Sequence, residues 1–151
     1  MKMDELTLHQ AGIEDSTYFY ELKKLVLYHY VDAIWGWDEK VQEQFHEENF
    51  HPEQTHLIEW KHQIVGTIEI TEDLEKIFIS SLYIHPNFQN NGIGTCLINY
   101  ICERATAKNK KVALEVLQLN KAAKKLYEKL GFYVISNQDP IKFYMQKDYI
   151  L

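Results

Sequence analysis

The sequence predicts an α/β fold: a mixed, mostly antiparallel central sheet of about seven strands flanked by about four helices. Three observations lead there. Short runs of alternating or dense β-forming residues recur seven times. Four stretches between them space apolar residues at helical intervals. One strand–helix–strand passage, around residues 92–116, has to bring its strands parallel through a right-handed crossover, while the three runs before it look antiparallel. A length of 151 residues predicts one domain over residues 1–151. A chain this long buries about 68–70% of its unfolded surface and needs no disulfide or metal to hold a core. Its 46% hydrophobic and 25% charged residues are ordinary globular values, with too little Gly (6) and Pro (3) for a collagen-like or low-complexity chain.

The elements follow in order. Glu5 to Gln10, with Leu6 and Leu8 alternating, reads as a strand. Asp15 or Ser16 supplies a helix cap, and Phe19, Leu22, Val26 and either Leu25 or Tyr30 follow at helical spacing to Ile34-Trp35-Gly36. A second helix starts at Trp37-Asp38-Glu39 and runs to about Asn49. Thr55 to Trp60 and Ile64 to Ile70 read as strands joined by a His62-Gln63 turn. Leu74-Glu75 turns the chain into a dense β run from Lys76 to His85. From Asn91 the period changes: Ile93, Leu97, Ile101 and Ala105 recur every four residues, with Ile98 beside them, until Asn109-Lys110. Val112, Leu114 and Val116 alternate as a strand; Ala122 to Leu130 is helical and Gly131 stops it. Phe132 to Ile135 and Ile141 to Lys147 form a last pair of strands around the loop Asn137-Gln138-Asp139-Pro140.

The net charge of −6 is polarised. Residues 1–75 hold 5 Lys against 17 Asp or Glu, a net of −12; residues 76–151 carry a net of +6. One half suits cations and the other anions. No apolar run reaches the roughly 18–20 residues of a membrane helix, and MKMDELTLHQ has no apolar signal-peptide core. Cys96 and Cys102 lie six apart in one helical stretch, about 600° of rotation, so they point to different faces. Unpaired cysteines match a reducing compartment, and the expected location is cytoplasmic, with no membrane partner.

The segment richest in chemistry runs from Tyr83 through His85-Pro86-Asn87-Phe88-Gln89-Asn90-Asn91-Gly92-Ile93-Gly94-Thr95. A strand enters a loop, and the loop opens a helix. Gly92 and Gly94 lack Cβ atoms, so a ligand can approach the backbone N–H groups that the first helical turn leaves unpaired. With the helix dipole this makes an anion site suited to phosphate. The dinucleotide fingerprint fails because its third position is Leu97, and no Gly-Lys-Ser/Thr ending exists for a P-loop. What remains is Gln89-x-x-Gly92-x-Gly94. This resembles the acetyl-coenzyme A motif of the GNAT (Gcn5-related) acyltransferases, in which Arg or Gln holds the first position. About 30 residues later, Asn120-x-x-Ala123-x-x-Leu126-Tyr127-Glu128-x-x-Gly131-Phe132 is similar to the C-terminal motif of the same family. The resemblance covers roughly residues 55–148; the first 54 residues match in element order.

The resemblance implies an acetyl-CoA-dependent N-acetyltransferase that moves the acetyl group directly to an amine in a ternary complex. Acetyl-CoA is the co-substrate, and no metal is expected. The coenzyme's pantetheine arm would pair with the backbone of Leu82, Tyr83 and Ile84 like an added strand. Its pyrophosphate would sit on the N–H groups of Gln89, Asn90, Asn91, Gly92, Ile93, Gly94 and Thr95. A backbone N–H near Leu82 or Tyr83 would face the developing oxyanion. Tyr127 holds the family's general-acid position, and a phenol with a pKa near 10 can give a proton to the leaving thiolate at neutral pH. Asn120 would bind the pantetheine or order a water. A base is less plainly written: the positions where many members carry a carboxylate are Ile77 and Phe78 here. Glu69 and Glu72 are the replacements, Glu69 first, and a water relayed through Ser80 or Ser81 is equally open.

Residues 28–38, Tyr-His-Tyr-Val-Asp-Ala-Ile-Trp-Gly-Trp-Asp, hold an unusual density of aromatics. In the family this region borders the acceptor, so Tyr30, Trp35 and Trp37 are expected as walls, with Asp32 or Asp38 supplying charge. The alternative is that one or both tryptophans cap the core. The partners expected are acetyl-CoA and an acceptor, a small cationic amine or a peptide amine. No nucleic acid is expected, because the lysines at 108, 110 and 111 lack interleaved aromatics. The protein would be a monomer or homodimer. His46 and His51 stand at i, i+5 rather than the i, i+4 of a zinc helix, which argues against a metal site. The rival to an enzyme is a non-catalytic coenzyme A-binding or sensing domain, and thiol release in an amine screen separates the two.

Overall fold

The structure, a computed structural model, describes residues 1–149; the last two positions of the expected 1–151 domain lie outside the described residues. The strands are β1 (Leu6–Gln10), β2 (Thr55–Trp60), β3 (Gln63–Glu72), β4 (Lys76–Ile84), β5 (Lys111–Leu117), β6 (Tyr133–Ser136) and β7 (Lys142–Lys147). The helices are α1 (Ser16–Trp35), α2 (Glu39–Asn49), α3 (Ile93–Ala107) and α4 (Lys121–Lys129). The seven strands form one sheet in the order β1-β2-β3-β4-β5-β7-β6. The expected mixed sheet and its helices are present, with boundaries shifted by one or two residues.

Two compact units divide the chain. The first holds Asp4–Glu69 and Leu82–Asn91. Here α1 buries Phe19, Tyr20, Leu22 and Val31, while Leu25 is exposed and Tyr30 only partly covered. Of the two alternatives for the buried face, Leu25 is therefore excluded. Phe19 is the hub: its ring lies 5.1 Å from Phe50, 5.9 Å from His46 and 5.9 Å from Tyr83. His46 is thus a core residue, its Nε2 2.7 Å from the Ser16 hydroxyl, and burial lowers its pKa. The β2–β3 turn falls on Lys61 and His62, not on His62 and Gln63. Trp60 pairs with Gln63, which leaves a two-residue loop with both residues at positive φ (52° and 65°). Such loops match the right-handed strand twist and usually carry Asn-Gly, so Lys-His gives little sequence signal.

The second unit holds Met1–Met3, Ile70–Ser81 and the chain from Gly92 onward. Its core is the α3 stripe of Ile93, Leu97, Ile98, Ile101, Cys102 and Ala105 with Ile77 and Ile79 of β4, Val112 to Leu114 and Val116 of β5, Met145 and Phe132. Each fully buried Leu or Ile contributes about 1.5–3 kcal/mol by area. Strands β4 and β5 are parallel, as the crossover required, with Lys76 to Ile79 against Lys111 to Leu114. The last strand, β7, inserts between β5 and β6. Burial explains the order: Met145 of β7 is fully covered, whereas Tyr133, Val134 and Ile135 of β6 are exposed at the sheet edge. Neither Cys96 nor Cys102 is in a disulfide among the described residues. Among the described residues no helix is long and apolar enough to cross a membrane.

Candidate active site

The glycine loop is built by side chains that hold backbone. β4 ends at Ile84, one residue before the expected His85, because His85 turns to cap the next segment. Its Nδ1 accepts from the Asn87 N–H (3.1 Å), and its carbonyl accepts from the Phe88 N–H (2.8 Å). Gln89 donates from Nε2 to the Ile84 carbonyl (2.9 Å). Asn91 donates from Nδ2 to the Phe88 and Gln89 carbonyls (3.0 and 3.3 Å). Asn90 takes a positive φ of 65°. In this loop the Gln and Asn side chains brace carbonyls, while the N–H groups of Asn87, Phe88 and Gln89 donate within the loop.

At the start of α3, Gly92 is left-handed (φ 82°, ψ 9°), and its carbonyl takes the first helical bond, from Cys96 N–H (3.0 Å). Ile93, Gly94 and Thr95 are the first helical residues, so their N–H groups have no intrahelical acceptor. A Cβ at Gly92 would meet only the Met1 side chain at 3.9 Å. The space beside Gly92 is open, and an anion placed at this turn would face N–H groups and the positive end of a 15-residue helix. The residues present therefore suit a phosphate-bearing ligand.

Asn120 and Tyr127 sit on α4. Asn120 is its N-cap, with Oδ1 accepting from the Ala123 N–H (3.1 Å). The side chain's acceptor is thus engaged by the backbone of its own helix. Tyr127 packs edge-on against Phe132 (6.0 Å). Its hydroxyl has no hydrogen-bond partner among the described residues, and burial raises its pKa above the ordinary value of 10. A phenol so placed is a proton donor at any working pH.

The carboxylates separate clearly. Glu72 accepts from Lys108 (3.0 Å) and Lys110 (2.6 Å), which hold its pKa below the usual carboxylate range. A carboxylate stabilised in its charged form by two lysines is a weaker base than a free one. Glu69 lies on β3 opposite Thr55, partly covered. Ile77 is buried. The Ser81 hydroxyl is shielded from solvent with no hydrogen-bond partner among the described residues.

The aromatic segment adopts the expected break: Trp35 ends α1, 60% exposed, and Trp37 lies in the linker. Neither is in the core. The sequence did not show what holds the linker. Glu39 accepts from Tyr20 (2.8 Å), Lys24 (2.9 Å) and Trp37 Nε1 (2.7 Å), and these three bonds, Lys24 first, pull its pKa down to about 2. Tyr28 stacks obliquely on Trp37 at 5.2 Å. Asp32 takes the Trp37 N–H (3.0 Å), and Asp38 caps α2 at Val41 (3.2 Å). The expected charge donors are thus also backbone caps. Two open cavities in the second unit, about 360 and 390 Å³, are lined by Phe78 and Tyr144 and by Cys102 and Lys110 respectively; neither includes Tyr127 or the glycine loop.

Known proteins share this fold. The pattern of the acetyltransferase (GNAT) family matches residues 19–132, reaching back into α1, well before residue 55. The PaiA N-acetyltransferase of Thermoplasma acidophilum, solved with coenzyme A, is 21% identical, with 95% of this chain and 99% of that one covered and a TM-score of 0.75. An acetyltransferase of Thermus thermophilus is 17% identical over 98% and 99% of the chains, with a TM-score of 0.73. An Arabidopsis thaliana protein solved with the bisubstrate analogue CoA-Ac-MVNAL is 17% identical over 96% and 99%, with a TM-score of 0.67. These likenesses establish the fold, and the family pattern, which spans well over half of the sequence, establishes that the chain belongs to the GNAT acetyltransferase family.

Proposed function

We propose that the protein transfers an acetyl group from acetyl-CoA directly to an amine, in a ternary complex. The observation that carries the reading is the pair of unspent groups on the two motifs: the open N–H turn at Gly92 to Thr95 and the unpartnered, protonated hydroxyl of Tyr127. The neighbour solved with coenzyme A and the one solved with a coenzyme–peptide analogue support it.

The thioester would supply an activated acyl carbon. The roles of the chain's own residues follow from their chemistry. Backbone N–H groups from Gln89 to Thr95 hold the pyrophosphate. The backbone of β4 at Leu82, Tyr83 and Ile84 holds the pantetheine arm and offers an N–H to the carbonyl oxygen. Asn120 contributes its amide to the same arm. As the amine nitrogen bonds to the acyl carbon and the C–S bond breaks, Tyr127 gives its hydroxyl proton to the departing sulfur. The amine's surplus proton leaves through Glu69 or water, and an amine bound neutral asks little of either. The segment Tyr30, Asp32, Trp35 and Trp37 borders the acceptor, a small cationic amine or a peptide amine.

The test is free-thiol release from acetyl-CoA by the purified protein across an amine panel. Amine-dependent thiol release is expected. Tight coenzyme A binding with no amine-dependent release would make the protein a coenzyme-sensing domain instead.

A further inference from the structure

Gly66, in the middle of β3, is not left-handed, so its lack of a side chain needs another reason. A Cβ there would collide with the Tyr83 carbonyl oxygen and lie 3.2 Å from the Ile84 Cα and 3.1 Å from the Ile84 Cδ1. Two of the three obstacles are backbone, which cannot rotate aside.

The surrounding hydrogen bonds show what this close approach does. The His85 N–H donates to the Val65 carbonyl (2.8 Å). A trans, planar peptide points its N–H and C=O in opposite directions, so the Ile84 carbonyl faces away from β3. There it accepts from Gln89 (2.9 Å). One peptide earlier the Tyr83 carbonyl is turned onto Gly66, so the Ile84 N–H also faces away from β3. Ile84 therefore directs both backbone groups outward, and Gln89 occupies only the carbonyl. By the two-residue alternation of a strand, Leu82 faces the same way and Tyr83 the other.

We infer that Gly66 is a positioning residue for the thioester-binding strand: by admitting the Tyr83 carbonyl into the space of its missing side chain, it sets the N–H groups of Ile84 and Leu82 outward for the coenzyme's amide arm and acyl oxygen. The inference rests on the acetyl-CoA reading above and narrows it. Of the three β4 residues, Leu82 and Ile84 bind, and Tyr83 is the support.

The test compares the wild type with Gly66→Ala. Folded Gly66→Ala should bind coenzyme A about tenfold or more weakly by calorimetry and raise the KM for acetyl-CoA alike, with the KM for the amine unchanged. A role in strand packing alone would lower Tm without this split between the two substrates. Amide hydrogen exchange on the wild type covers the case in which the variant fails to fold: coenzyme A should protect the amides of Ile84 and Leu82 and leave that of Tyr83 unchanged. Equal coenzyme affinity in a folded Gly66→Ala, or coenzyme binding that protects neither outward amide, overturns the inference alone. A wild type that binds no coenzyme A overturns the acetyl-CoA reading, and the inference with it.

Discussion

The segment from β4 into α3 and the junction between α1 and α2 are both irregular turns beside regular elements, and they are held in opposite ways. In the first, the side chains of His85, Gln89 and Asn91 hold backbone carbonyls and amides within five residues of themselves. In the second, one carboxylate, Glu39, gathers a phenol, an ammonium and an indole from positions 19, 15 and 2 residues away. The first leaves the N–H groups that open α3 without an intrahelical acceptor; the second closes its carboxylates Asp32, Asp38 and Glu39 on its own donors. A loop proposed to bind and one that supports have different requirements, and the contrast follows from them. Four perturbations would break or sharpen it.

The largest effect is expected at Tyr127, the unspent side-chain donor. Phe keeps the ring on Phe132 and removes only the proton. The kcat should fall by roughly 10²–10⁴-fold while coenzyme affinity holds. Because burial raises the phenol's pKa, the wild-type kcat should show no loss of this acid until above pH 10. A Tyr127→Phe enzyme within a few-fold of wild type would move the acid to water or another group.

The next test sets one glycine of each turn against the other. Gly92 and Gly36 both have positive φ (82° and 78°) and open space where a Cβ would go. Val at either costs on the order of 1–2 kcal/mol in backbone strain. Both variants should lose Tm. Only Gly92→Val should also lose coenzyme affinity, by about tenfold or more, because its side chain would stand over the N–H groups. Equal coenzyme binding in the two would mean the α3 turn is not the phosphate site.

This contrast also explains what could be read from the sequence. Conformation in the glycine loop is encoded locally: Gln, Asn and Gly at fixed spacing imply backbone geometry, and the geometry implies an anion. The α3 stripe was legible for the same reason, whereas Tyr127 was singled out by the family resemblance alone. Glu39 was not, since its three partners meet only after α1 and α2 pack. Gly66 was not, because its reason lies across the sheet at Tyr83. The pairing of Glu72 was not legible either, since Lys108 and Lys110 lie 36 and 38 residues away. Even the Lys61-His62 turn was misplaced by one, since these residues carry positive φ without the usual Asn-Gly.

A smaller effect should come from acid. The pKa of Glu39 is depressed to about 2 from 4.5, so its contribution to stability is fully present above about pH 4.5 and is lost as pH falls through about 2. The Tm gap between wild type and Glu39→Gln should therefore narrow across that window, because both side chains are then neutral. A constant gap would show that shape, not charge, holds the junction.

The smallest effect should be on acceptor choice. The segment proposed to border the acceptor belongs to the half of the chain with a net charge of −12. Its exposed acids include Glu21, Asp32, Asp38, Glu43, Glu47 and Glu48, while Glu39 is offset by Lys24. Such a surface raises the local concentration of cations and repels carboxylates. Exposed charges act through water, and each contributes at most about 1 kcal/mol, so a cationic amine should be favoured over a matched neutral one only several-fold in kcat/KM. Screening over about 8–10 Å at physiological ionic strength should shrink that preference as salt rises. Coenzyme binding at the α3 turn would respond to salt as well, through its own phosphates, so the comparison must be made at saturating acetyl-CoA. A salt-independent preference for the cation would place recognition in a desolvated pocket. Preference for the anionic amine would show that the acidic surface of α1 and α2 takes no part in choosing the acceptor.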